Sequence, residues 1–280
     1  MSQLIQMKQR IDAIATIKKI THATRLIAMS AHTRLAHQEP LMANYKNEVT
    51  LLFERLLEDE TDISGAIIQC SPTATQSLII LIGSQKGFCG TFNIALFKFL
   101  ENHFATKNQS HSFIAIGKKA QDYLHAQAVK PLVTCNNLSS STVGSITTLI
   151  TQTIIKHAHE YKEIVIVSNC PHTFFTQKPQ QTLLLPLQKP KDAVTTLDSY
   201  YWPEPKQDII TMLSTVYLQS IIESLLFSSL AAEQAARFHS MDNATRNAKE
   251  LLETMYRDYN KLRQSKITQE LLELSGSFQR

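Results

Sequence analysis

Residues 206–275, seventy in a row, contain neither glycine nor proline. With 7 Gly and 9 Pro in 280 residues, such a residue falls once in 17 or 18 positions on average. The gap therefore marks a long regular backbone, and its Leu, Ala, Glu, Gln, Lys and Arg content favours helix. At about 1.5 Å per residue an unbroken helix here would run about 105 Å, whereas globular helices average about 11 to 12 residues. A rod of that length cannot be buried within a chain this size, so it must project or pair. The feature implies a mechanical element: a shaft, lever or spacer.

The N-terminal end matches it. Residues 2–58 again lack glycine, and their only proline is Pro40, which is expected to bend or break the helix locally. Leu4, Met7, Ile11, Ile14, Ile17 and Ile20 fall at steps of three and four, one stripe on one helix face. Leu252, Met255, Tyr259 and Leu262 repeat the spacing, followed by Ile267, Leu271, Leu274 and Phe278. Two narrow stripes are expected to bury against each other as a long antiparallel coiled coil of residues 1–58 and 206–278; a helical bundle is the alternative. Alanines such as Ala28, Ala31, Ala232, Ala236 and Ala248 allow close approach of the axes. Cysteines near Ile14 and Leu262 are expected to cross-link within one molecule, with the register left open.

Between residues 70 and 200 the period changes. Residues 77–83 (SLIILIG), 112–117 (SFIAIG) and 163–169 (EIVIVSN) read as buried strands, and 181–187 (QTLLLPL) as an edge strand because Pro186 cannot donate to a ladder. Residues 91–107, 118–126 and 143–161 read as helices. Strands alternating with helices predict an inserted Rossmann-like α/β domain with a mainly parallel sheet. Residues 197–205 (LDSYYWPEP) lead into the long helix.

Composition narrows the function. No apolar run approaches 18 residues; the nearest, 221–232, is interrupted by Glu223 and several serines, so no membrane span is expected. The amphipathic pattern begins at once, leaving no room for a signal or transit peptide. Cys70, Cys89, Cys135 and Cys170 are widely spaced, which suits free thiols in a reducing compartment. Residues 1–37 carry Lys8, Arg10, Lys18, Lys19, Arg25 and Arg34 against Asp12. This basic helix is a solvated face, a surface for nucleic acid or anionic membrane, or a match for an acidic protein partner. It lacks the dense basic clusters and interleaved aromatics of nucleic-acid surfaces.

Residues 83–90 (GSQKGFCG) follow a strand and open a helix, the place for a phosphate cradle. The string matches neither the dinucleotide fingerprint nor the P-loop, and its glycines suit a tight turn. Cys89 beside Phe88 reads as a packed residue, and His157 and His159 lie on different helix faces. No catalytic site, cofactor or metal is expected. A nucleotide-binding α/β enzyme with coiled-coil arms and a coiled-coil adaptor for acidic polymers remain the rivals.

Specific strings then carry a resemblance. Residues 241–251 (MDNATRNAKEL), 259–264 (YNKLRQ) and 267–272 (ITQELL) closely resemble the C-terminal signature of the gamma subunit of F-type ATP synthases. Lys18-Lys19-Ile20-Thr21 matches that family's KKIT, and Gly87-Phe88-Cys89-Gly90 with Phe92-Asn93 stands where it has G-L-C-G and F/Y-N. The order and spacing cover essentially the whole chain. The resemblance implies a non-catalytic central-stalk rotor, one copy per complex. It would transmit rotation of the membrane c-ring to three α and three β subunits, beside an epsilon subunit, with no nucleic acid and no membrane span of its own. The implied location is the cytoplasmic face of a bacterial inner membrane, as a peripheral protein. The implied β-subunit contacts are Arg263 and Gln264, with Thr268 and Glu270; Lys18 and Lys19 follow from the motif and Arg25 from its charge. The chain departs from the family where S-D-R-G-L-C-G-G becomes Ser84-Gln85-Lys86-Gly87-Phe88-Cys89-Gly90-Thr91, which removes an acid. It departs again where A-M-K/E-M-V becomes Ala23-Thr24-Arg25-Leu26-Ile27.

Overall fold

The structure is a computed structural model and describes residues 2–58, 69–104, 111–187 and 206–277. The expected lead-in at 197–205, the end of the helix read to 107, and Phe278 lie outside them. Two compact units emerge, residues 1–29 with 237–280, and residues 30–236. Helix α1 (Ser2–Glu58) and helix α5 (Lys206–Ser277) contribute to both. Helix α1 runs unbroken through Pro40, contrary to a local break. Pro40 and Ala36 are both exposed, so water can take the Ala36 carbonyl that the missing N–H leaves without its helical donor.

In the first unit α1 and α5 pack antiparallel. Thr245 Oγ1 donates to Thr21 Oγ1 at 3.0 Å, and Arg25 Nη1 donates to Asp242 Oδ1 at 2.6 Å; a turn forward on one helix is a turn back on the other. This register sets Ile14 near Leu252 and Leu262 near Leu4, so Ile14 and Leu262 do not face each other. The seam also differs from the apolar stripe. Buried and half-buried positions on α1 run Leu4, Met7, Ile11, Ile14, Lys18, Thr21, Arg25, Ala28. Those on α5 include Met241, Thr245, Ala248, Leu252, Met255, Tyr259, Leu262 and Lys266. Both follow an alternating three-and-four step, the heptad seam of paired helices. Ile17 and Ile20, expected inside, are exposed, as are Ile267, Leu271 and Leu274. A stripe that steps 14, 17, 20 rotates away from a seam that steps 14, 18, 21.

In the second unit a five-stranded sheet has the order β3-β2-β1-β4-β5. Strands β1 (Ser77–Ile82), β2 (His111–Ile116), β3 (Val133–Cys135) and β4 (Glu163–Thr173) are parallel, and β5 (Thr176–Leu185) returns antiparallel as a hairpin partner of β4. Every residue of β1 is buried, because both sheet faces are covered. Leu78, Ile80 and Ile82 join Ile114, Ile116, Ile164 and Ile166 on one face. There they meet Ile146, Ile150 and Ile154 of α4 (Val143–His157) and Leu218, Ile222, Leu226 and Leu230 of α5. Ile79 and Leu81 face Leu96 and Leu100 of α2 (Phe92–Phe104) and Ala120 and Leu124 of α3 (Lys118–Ala126). At about 25 cal/mol per Å² of apolar area, each fully buried Leu or Ile contributes about 1.5 to 3 kcal/mol, and these layers supply most of the unit's core.

An 18-residue window within Asp208–Leu274 reaches mean hydropathy 1.5, so by length and composition the helix could cross a membrane. The serines around Glu223 interrupt the apolar run without lowering its mean far. The apolar side chains at 218, 222, 226 and 230 are buried against the sheet, as in the core helix of a globular layer.

Candidate functional site

The singled-out residues fall on the loop after β1 and on the helical pair. In a sheet wound outward from β1 in both directions, the crevice between the carboxyl ends of β1 and β4 is where ligands bind. Gly83 lets that strand end approach α3: a Cβ there would sit 2.8 Å from the Ala120 amide nitrogen. Buried Ser84 donates its hydroxyl to the Lys86 carbonyl at 2.9 Å and accepts from Asn93 Nδ2 at 2.8 Å. The Ser84 N–H donates to Asn93 Oδ1 at 3.1 Å, and Asn93 Nδ2 lies 3.2 Å from Cys89 Sγ. Asn93, on the first turn of α2, thus closes the loop on itself. Phe88 and Gly90 take the left-handed conformation at φ 63 and 58, and the Phe88 side chain is 74% exposed.

Gln85 ties this loop to three other segments. Its side-chain Oε1 accepts from the Lys118 N–H at 3.3 Å, its Nε2 donates to the Asn136 carbonyl, and its own N–H donates to Glu233 Oε2 of α5 at 3.3 Å. The acid that stands here in the resembling family can accept but cannot donate; the amide does both. Cys89 and Phe92 pack on Ala232 and Ala236 of α5. Asn169, in β4 two residues past its pairing with β1, donates Nδ2 to the Phe92 carbonyl at 2.9 Å. Ser84, Gln85, Lys86 and Cys89 of the string are therefore engaged with the protein's own groups.

On the helical pair four of them lie at the C-terminal end of α5, which by the same register passes the first residues of α1. Lys18, Lys19 and Arg25, opposite residues 241–249, therefore lie several helical turns away. Arg263, Gln264, Thr268 and Glu270 are all exposed on α5. At 3.6 residues per turn, Arg263, Ile267 and Glu270 share one row and Gln264, Thr268 and Leu271 the next. This interleaves charge, amide and exposed apolar side chains, while Thr268 Oγ1 donates back to the Gln264 carbonyl at 3.0 Å. Lys19 is exposed and Lys18 half-buried in the seam. Arg25 is held inside the unit. Asp242 receives Arg25 at 2.6 Å and Arg246 Nη2 at 3.2 Å, and Arg246 also donates to Asn243 Oδ1 at 2.6 Å. The Arg25 Nη2 lies 3.3 Å from His22 Nδ1, and its Nε is buried without a partner among the described residues. The sequence signal for Arg25 was its charge; what that charge meets, 217 positions away, has none. Asp242 and Glu233 were both missed, although an acid within the alanine-rich run 230–236 is a visible anomaly.

Three of the four thiols are held protonated by their surroundings. Burial pushes Cys70 up to about 11, helped by the nearby Glu163 carboxylate, and raises Cys135 and Cys170 as well. Burial also lowers His32, which the Glu39 charge partly offsets; its ring meets Phe174 edge-on at 4.9 Å.

The helical pair leaves large apolar side chains exposed, among them Ile17, Ile20, Ile267 and Leu271. The family model described as "ATP synthase" matches residues 3–279. An "ATP synthase gamma chain" of Rickettsia canadensis is 29% identical over 98% of each chain. One of Clostridium perfringens is 30% identical over 98% of this chain and 96% of its own. Among solved structures, a chain of the Euglena gracilis mitochondrial ATP synthase has TM-score 0.72 at 14% identity, covering 99% of this chain and 94% of that one. A chain of the Tetrahymena thermophila central stalk and c-ring has TM-score 0.57 at 19% identity, covering 80% and 99%; these two likenesses show the fold. The chain belongs to the ATP synthase gamma-chain family, the central stalk of the rotary enzyme.

Proposed function

We propose that this chain is the rotor that couples an ion-driven c-ring to the catalytic α/β hexamer, without a catalytic site of its own. Rotation of the ring turns the helical pair, whose asymmetric outer face meets the β subunits in turn and shifts their nucleotide affinities. Residues 1–58 and 206–278 serve as the shaft, and residues 70–200 as the domain beside the c-ring and the epsilon subunit. One copy works with three α and three β subunits, peripheral on the cytoplasmic face of the bacterial inner membrane. The observation that carries this reading is the family match across residues 3–279 on a fold whose exposed α5 face holds Arg263, Gln264, Thr268 and Glu270.

Those four residues and Lys19 make the β contact. Lys18 and Arg25 reach it only with the part of the side chain that the seam leaves uncovered. Replacing Arg263 and Gln264 together slows ATP turnover by the complex without preventing assembly, because each contact is transient. A cleavable covalent tether from this position to β is the decisive experiment. It stops multi-site turnover, and cleavage restores it; full activity of the tethered complex refutes rotation of this segment against β.

A further inference from the structure

We propose that Glu233 is a tethered anion in the ligand crevice of the sheet, and that it clamps α5 onto the α/β layer. Three observations converge. The strand–glycine loop–helix junction after β1 lies at the switch point of the winding, where the start of α2 favours negative charge. Glu233 is an acid only 3% exposed in an alanine-rich stretch of α5, and an ionised side chain that deep has to be met by donors or charge. The Gln85 N–H of the loop is one such donor, at 3.3 Å from Glu233 Oε2.

The surroundings are shaped for this side chain to arrive on a helix. Ala232 and Ala236, four apart, present a shallow surface to Cys89 and Phe92 on either side of the acid. Larger residues at either position would hold α5 away from the loop. Gln85 keeps the N–H in place by anchoring its side chain between the Lys118 N–H and the Asn136 carbonyl. Ser84 and Asn93 fix the turn behind it. The carboxylate thus takes the place of the phosphate that comparable junctions bind, and the long helix is held by the sheet as a ligand would be. Glu233 is a positioning residue for α5, a role that does not depend on the rotary reading.

Chemical rescue tests it on the intact chain. In Glu233→Ala, amide exchange over residues 84–92 is expected to accelerate about tenfold, the factor for losing one charge-assisted hydrogen bond of about 1.4 kcal/mol. Acetate, a small carboxylate able to enter the vacated space, restores protection there, whereas chloride at equal ionic strength does not. Glu233→Gln keeps the volume, removes the charge and gives a smaller acceleration confined to the same residues. It serves as the test should the alanine variant not fold. Unchanged exchange in either variant overturns the proposal, as does acceleration that acetate leaves untouched, which would mark simple packing. Failure of the chain to join an ATPase at all would refute the rotary reading and leave the clamp standing.

Discussion

Replacing Arg25 with alanine tests whether that residue serves the seam or the outside. Its guanidinium and the Asp242 carboxylate keep 27% and 24% of their side-chain surface. The pair lies between an exposed one, worth about 0 to 1 kcal/mol, and a buried one, whose breaking costs about 3 to 5 kcal/mol. A charge-assisted bond at 2.6 Å with partial exposure points to about 1.5 to 2 kcal/mol for Arg25→Ala. Asp242 keeps Arg246 in that variant, so its charge is not stranded. Asp242→Ala costs more, about 2 to 3 kcal/mol, because a half-buried guanidinium then loses its carboxylate. A double-mutant cycle isolates a coupling of about 1 to 1.5 kcal/mol. The chain has two compact units, so a single melting midpoint does not report it cleanly. Amide exchange at residues 18–28 and 238–249 reads the local opening free energy instead. A coupling under about 0.3 kcal/mol, the scatter expected for independent sites, refutes the seam assignment. Unaltered exchange in the isolated chain with impaired turnover in the complex would give Arg25 to the partner instead.

Three further outcomes are open to measurement. Cysteines at Ile14 and Leu252 cross-link within one chain under mild oxidation, while cysteines at Ile14 and Leu262 do not; the reverse result overturns the register. Cys70, pushed from 9.0 to about 11, reacts with iodoacetamide at pH 8 about a hundredfold more slowly than an ordinary thiol, because the thiolate is the nucleophile. The fold favours its protonated form, so this stabilisation is present below about pH 9 and is lost as pH rises toward 11; alkylation at a free-thiol rate refutes it. Gln85→Glu removes the donation to the Asn136 carbonyl and costs about 1 to 3 kcal/mol. Exchange over residues 83–93 and 133–136 checks it, with no change as the refuting result.

The layered domain was legible because its strands are buried on both faces. A run such as SLIILI has few other homes, and Gly83 and Gly117 punctuate the ends of β1 and β2. Strand β3 escaped notice because three residues, Val133–Cys135, carry no period of their own and are defined by pairing to β2. The hairpin of β4 and β5 ran further than expected, through Pro171 and Pro179. A proline reads as a strand stop, yet the outer edge of a terminal strand needs no N–H. The helical pair was legible as a pair but not in its seam. Periodicity weighs apolar character, so it followed Ile17 and Ile20 outward. Lys18 takes an inner position through its long apolar stem, and Thr21 and Arg25 through polar partners on the other helix. On the outer face, the family signature supplied Arg263, Gln264, Thr268 and Glu270. No local pattern names Asp242 or Glu233 as partners of residues more than a hundred positions away.

The apolar side chains left on the outside of the helical pair have a consequence for the life of the unassembled chain. Ile20 and Ile27 are 59% and 69% exposed, and Leu271 and Leu272 are 62% and 68% exposed. A copy without its neighbours therefore offers sticky surface to any other copy, to chaperones and to proteases. Its abundance is set less by its folding stability than by how soon those side chains are covered.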